Sequence, residues 1–337
     1  MEYLTSERVA VLGAAGAIGS NLTQIILTLR ISNNVVMFDP YAPGLEGAAE
    51  EMYHCSFPGA TITWTTDLAE ALEGTSYVVT SGGAPRREGM TREDLRRDNC
   101  KIAKELGEHI RKYAPDLKFL IVIFNPADIT GLTALVHSGL PPSRVTTLAA
   151  LDSTRLQTAL AQKFGVPQDK VTGCRTYGGH GEKMAVFKST IRIDGKPLTE
   201  YLEEGLLPRE EWEAVQEHVR NGGARIIKLR GRSSFQSPAH HSALMLKSVI
   251  DGSEYPWPCG AYIAEGEFAG VMMAADTTLT RNGVVVRVPE GDPEDMALLR
   301  DSYEHLIQLR NQTIEDGLLP PLKEWPRYNR HLGVPPR

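Results

Sequence analysis

Three short clusters hold residue types that could act together on a small substrate. In Thr176-Tyr177-Gly178-Gly179-His180-Gly181 a histidine is flanked by glycines. That places an imidazole on an exposed turn with room for a ligand, and imidazole donates and accepts protons near neutrality. Leu151-Asp152-Ser153-Thr154-Arg155 opens a helix directly after a strand. Asp152 reads either as a partner for a charged group or as an N-cap that satisfies exposed backbone N–H groups. Between another strand and helix lies Gly82-Gly83-Ala84-Pro85-Arg86-Arg87-Glu88-Gly89-Met90-Thr91-Arg92, with three arginines in a glycine-containing loop. Guanidinium is the planar, permanently charged fork suited to carboxylates, and a loop can close over a site and expel water. The plainer reading is a solvated basic loop with Arg92 paired to Glu93 or Asp94. His240, His241 and Cys259 match no familiar metal-ligand spacing.

The elements that must position these clusters follow from hydrophobic patterning. Val9–Leu12 reads as a strand and Ala17–Leu29 as a helix, and Gly13-Ala14-Ala15-Gly16-Ala17-Ile18-Gly19 joins them. Gly13, Gly16 and Gly19 allow a tight turn and close backbone approach to a pyrophosphate facing a helix N-terminus. A second strand, Val35–Phe38, runs into Asp39, whose carboxylate can bond a ribose 2′-hydroxyl and repel a 2′-phosphate. This favours NAD over NADP. Gly82, Gly83 and Asn125 fall at strand carboxyl ends, where open α/β sheets bind ligands.

Leu45–Tyr53, Thr91–Tyr113 and Ser153–Phe164 read as helices, and Tyr77–Thr80, Phe119–Phe124 and Val145–Ala149 as strands. Short apolar strands alternating with helices predict a Rossmann-type α/β fold, a doubly wound parallel sheet buried on both faces. After about residue 165 the pattern becomes α+β. Hairpins are expected around Asp194-Gly195, after Val186–Ile193, and around Asn282-Gly283. Helices are expected at Arg209–Leu229, His240–Ile250 and Pro293–Asp316, and a proline-rich tail should wrap the surface after Leu318. The expected division is a nucleotide-binding domain over residues 1–151 and a substrate-binding domain over 152–337.

The formal net charge of −6 argues against a nucleic-acid partner. No apolar run reaches the roughly 18 residues of a membrane span, and Glu2, Glu7 and Arg8 interrupt any leader pattern. Cys55, Cys100, Cys174 and Cys259 lie far apart, as free thiols in a reducing compartment do. The cytoplasm, or a comparable reducing compartment, is expected.

The order of glycine-rich turn, ribose acid, arginine loop, Asn-Pro, Asp-x-x-Arg and Gly-His-Gly resembles the malate/lactate dehydrogenase family over nearly the whole chain. The resemblance implies hydride exchange between NAD and C2 of a 2-hydroxy acid, in a homodimer or homotetramer. It makes His180 the acid/base, Asp152 the carboxylate that orients it, and Arg155 the clamp on the C1 carboxylate. It sets Arg92 against the C2 oxygen, Asn125 beside substrate and nicotinamide, and Ser233, or its neighbour Ser234, in the pocket wall. Asn99 joins Gly13, Gly16, Gly19, Asp39, Gly82 and Asn125 among the expected cofactor residues. Arg86 stands where the family's malate-type lids carry arginine and its lactate-type lids commonly glutamine. The implied substrate is therefore the dicarboxylate malate or oxaloacetate, with lactate or another 2-hydroxy acid as the alternative. That substrate implies a place in the tricarboxylic acid cycle. The chain departs from the family pattern at residues 272–284, which lack the usual Ser-x-Pro, and in its proline-rich C-terminus.

Overall fold

The computed structural model describes residues 2–84, 91–181 and 183–337. The first half alternates strands and helices: β1 (Arg8–Leu12), α1 (Ala17–Thr28), β2 (Asn34–Phe38), α2 (Ala42–His54), β3 (Thr61–Thr65), α3 (Leu68–Leu72), β4 (Thr75–Thr80), α4 (Arg92–Tyr113), β5 (Phe119–Val122), α5 (Ala127–Ser138), β6 (Val145–Leu148) and α6 (Ala150–Phe164). Strands β1 to β6 pair in parallel in the order β3-β2-β1-β4-β5-β6. Central strands such as β5, FLIV, are buried throughout because helices cover both faces.

The second half carries β7 (Val171–Thr172), β8 (Arg175–Tyr177), β9 (Ala185–Phe187), β10 (Arg192–Ile193), β11 (Lys196–Pro197), α7 (Leu198–Glu203), α8 (Arg209–Arg220), α9 (Gly222–Arg230), α10 (Gln236–Asp251), β12 (Cys259–Tyr262), β13 (Met272–Thr280), β14 (Gly283–Arg287), α11 (Pro293–Glu315) and α12 (Trp325–Tyr328). Strands β12, β13 and β14 add antiparallel to the β6 edge, so both halves build one nine-stranded sheet. The segment 272–284, where the family's Ser-x-Pro is missing, is the β13–β14 hairpin.

Several expectations need correction. The stretch Val186–Ile193 is not one strand: β9 pairs with β8, and only β10 forms the Asp194-Gly195 hairpin with β11. In the other hairpin Gly283 already pairs with Thr280, so Arg281-Asn282 make the turn. Arg209–Leu229 divides at Asn221 into α8 and α9. The proline-rich tail does more than coat the surface. Trp325 is fully buried, and the Asn329 amide donates to the Leu135 and Leu140 carbonyls at 2.9 and 2.8 Å.

Candidate active site

The Gly-rich turn places the N-terminus of α1 at the carboxyl end of β1. Among the described residues no side chain caps that helix, and its first turn holds no acid, so its N–H groups remain available to an anion. Gly13 has φ 85°, and a Cβ there would lie 2.6 Å from the Gly82 backbone nitrogen, so β1 and β4 can end side by side only with glycine. Gly19 packs equally tightly: its Cβ would sit 2.3 Å from the Gly13 carbonyl oxygen. Asp39, just past β2, accepts from the backbone N–H groups of Ala15 at 3.3 Å and Tyr41 at 3.0 Å. An uncapped helix start beside a fixed carboxylate suits a pyrophosphate and a ribose diol. The residues present fit NAD.

Beside this turn, reached past Ile18, Ser81 and Gly83, opens a cavity of about 380 Å³. Among the expected site residues, Asn99, Asn125, Asp152, Arg155, His180 and Ser233 line it, together with Ser234. Arg92 does not. It is the exposed first residue of α4, where Thr91 and Asp94 close a capping box. Asp94 Oδ2 accepts from the Thr91 N–H and hydroxyl. Arg86 lies outside the described residues.

The structure resolves the two readings of Asp152. Helix α6 is flanked by Ala149 as its N-cap, and Asp152 is the third residue of its first turn, almost wholly buried. Its Oδ2 meets His180 Nδ1 at 2.6 Å, and its Oδ1 accepts from Arg155 Nη1 at 2.7 Å. Burial pushes the Asp152 carboxyl up, but His180 and Arg155 outweigh it and hold it below its ordinary value. The same attraction by Asp152 raises His180 above its ordinary value, against the opposing effect of burial. Nδ1 is committed to the carboxylate, so Nε2 is the nitrogen left for chemistry.

The turn that carries His180 is held one amide at a time. Gly178 N–H donates to the Ala274 carbonyl at 2.9 Å, Gly179 N–H to Ser302 Oγ at 2.8 Å, and His180 N–H to Asp128 Oδ2 at 2.9 Å. Gly178 has φ 77° and a Cβ would sit 2.3 Å from Ser302 Oγ, so the first of the two glycines before the histidine lets α11 pack close. Asp128 is buried, and burial lifts its carboxyl to about 6 despite the His180 N–H. Neither Asp128 nor Ser302 belongs to a motif of the sequence. A side-chain-to-backbone bond across 52 residues leaves no spacing signal.

Asn99 spends its amide on backbone. Its Oδ1 accepts from Ala84 N–H at 2.7 Å and its Nδ2 donates to the Asn125 carbonyl at 2.6 Å. It thereby fixes the start of the arginine loop to the β5–α5 turn, where the Asn125–Pro126 peptide bond is cis.

Sequence models of the lactate/malate dehydrogenase NAD binding domain and alpha/beta C-terminal domain match residues 7–147 and 149–310. The chain belongs to the lactate/malate dehydrogenase family. It is an NAD-dependent oxidoreductase with a Rossmann nucleotide-binding half. A malate dehydrogenase of Nitratiruptor sp. is 31% identical over 91% of this chain and 97% of its own. Malate dehydrogenase 1 of Aquifex aeolicus is 32% identical over 92% and 96%. Among solved structures, the apo malate dehydrogenase of Picrophilus torridus superposes with TM-score 0.81 at 28% identity, covering 93% of this chain and 99% of that one. The lactate dehydrogenase of Cryptosporidium parvum with lactic acid and NAD gives 0.83 at 26%, covering 91% and 98%.

Proposed function

We propose that the chain interconverts malate and oxaloacetate, with the His180–Asp152 pair facing the same cavity as Arg155 as the observation that carries the reading. When bound, NAD supplies the hydride acceptor. In malate oxidation neutral His180 takes the C2 hydroxyl proton on Nε2, and Asp152 stabilises the imidazolium that results. In reduction the protonated ring returns that proton to the C2 oxygen. Arg155 spends one of its five N–H donors on Asp152. The rest of its fork suits the C1 carboxylate, which sets C2 beside the imidazole. Arg92 is the candidate to stabilise charge on the C2 oxygen, and the Asn125 amide to bond substrate beside the nicotinamide.

Arg86 chooses the substrate in this reading. Pyruvate would leave its guanidinium unpaired beside the ligand, costing about 3–5 kcal/mol, on the order of hundreds- to thousands-fold in selectivity. The relatives named malate dehydrogenase support this choice. Steady-state NADH consumption with oxaloacetate and with pyruvate, before and after Arg86→Gln, tests it. The wild type should prefer oxaloacetate and the variant should lose that preference; a wild type that prefers pyruvate refutes it.

A two-domain division near residue 151, a homodimer or homotetramer, a cytoplasmic location and a step of the tricarboxylic acid cycle complete the proposal. Among the described residues no helix is long and apolar enough to cross a membrane.

A further inference from the structure

The cavity wall contains a guanidinium that no part of the preceding chemistry uses. Arg220, the last residue of α8, lines the same cavity as Arg155, His180, Ser233 and Ser234. Its Nε is shut off from solvent and has no hydrogen-bond partner. Its Nη2 donates to the Gln216 side-chain oxygen at 3.3 Å, a long bond to a neutral acceptor. Among the described residues no carboxylate pairs with it, whereas Arg155 has Asp152.

The two arginines share a stretch of wall by construction. Helix α8 ends at Arg220, and α9 begins at Gly222 against the Arg155 stem, where a Cβ would come within 2.6 Å of Cδ. The break between the helices therefore leaves Arg220 two residues from the glycine that packs on Arg155, with both arginines on the cavity wall. A permanently charged fork on the cavity wall, with no carboxylate partner among the described residues, suits an anionic group of the ligand.

We propose that Arg220 is a further specificity-determining residue, binding the substrate's distal carboxylate while Arg155 holds the one next to C2. This rests on the dicarboxylate reading above and gives that carboxylate a recognition group on the cavity wall in addition to Arg86. Pyruvate ends in a methyl group and offers Arg220 nothing.

The experiment compares kcat and KM for oxaloacetate and pyruvate in wild type, Arg220→Gln and Arg220→Lys, with thermal melting of each. Arg220→Gln should lower kcat/KM for oxaloacetate about 100-fold, mainly through KM, and change pyruvate turnover by less than about threefold. Arg220→Lys keeps the charge without the fork and should recover part of the loss. Equal losses on both substrates would overturn the proposal, since they mark a structural role or contact with the shared carboxylate. An unchanged oxaloacetate KM would overturn it as well. If Arg220→Gln does not fold, the Arg220→Lys substrate ratio decides by the same criterion. A wild type that prefers pyruvate refutes the dicarboxylate reading itself; a wild type that prefers oxaloacetate, with variants that keep its ratio, refutes only the role of Arg220.

Discussion

At the scale of single residues, the site depends on how two buried carboxylates are shared. Asp152 serves two cations, His180 and Arg155, and its charge raises the His180 pKa. Replacing Asp152 with Asn keeps an acceptor for Nδ1 but removes the charge that stabilises the imidazolium. Asp152→Asn should lower kcat roughly 100- to 10,000-fold. It should also move the His180 limb of the kcat/KM profile for malate oxidation to lower pH, and an unmoved limb would separate Asp152 from the titration. Asp128 behaves in the opposite sense. Its folded pKa, about 6, lies above the ordinary 3.8, so its stabilising contribution is full below the lower value and disappears as pH rises through the upper one. Asp128→Asn keeps an acceptor for His180 N–H without the buried charge. Relative to wild type it should therefore be more stable at pH 8 than at pH 4, by on the order of 2 kcal/mol, in urea unfolding at the two pH values. The motifs around His180 and Asp152 were visible in sequence because chemistry needs particular side chains in particular order. Asp128, Ser302 and Arg220 were not, because each acts through a contact that only the folded chain creates.

At the scale of elements, alternating buried strands and helices were legible wherever both faces of a strand are covered, as in β1, β4 and β5. The edge strand β3, sequence TITWT, went unread because most of its residues are exposed and it lacks an apolar run. The break between α8 and α9 was missed for a different reason. The apolar periodicity continues through Asn221-Gly222, and the helix breaks where Asn221 leaves helical geometry at ψ 1°, with Gly222 packed on the Arg155 stem. Gly222→Ala isolates that packing. Gly222 opens α9 rather than sitting in its interior, so alanine adds little helix propensity, and a methyl group forced against the Arg155 stem should cost about 1–3 kcal/mol of stability. The new methyl group must displace the Arg155 stem, and KM for 2-oxo acids should rise roughly tenfold with kcat less affected. Denaturant midpoints and steady-state kinetics on the same preparation check both halves. A variant with an unchanged KM would show that Arg155 finds its binding position without Gly222.

At the scale of the whole molecule, the final long helix reaches back to brace the helix that follows the arginine loop. Arg96 on α4, almost fully buried, lies 2.9 Å from Asp316, the residue that ends α11, and donates to Thr313 at 3.0 Å. Arg97 reaches the other Asp316 oxygen at 3.4 Å. No reading of the first half could have anticipated this, since the partners are more than 200 residues apart and neither belongs to a motif. The pair fixes the first turns of α4, which carry Arg92 at their start and Asn99 two turns on, so a sheet-distant contact bears on the cavity. Asp316→Ala would strand the Arg96 cation in the interior, and truncating one partner of such a pair costs about 3–5 kcal/mol. The urea midpoint should fall accordingly, and KM for the 2-oxo acid should rise as α4 loosens. Arg96→Leu combined with Asp316→Ala removes the stranded charge along with its partner, and most of the lost stability should return while the KM defect persists. A double variant as unstable as Asp316→Ala would mean that packing of the α11 end, rather than the uncompensated charge, is what the single substitution disturbs.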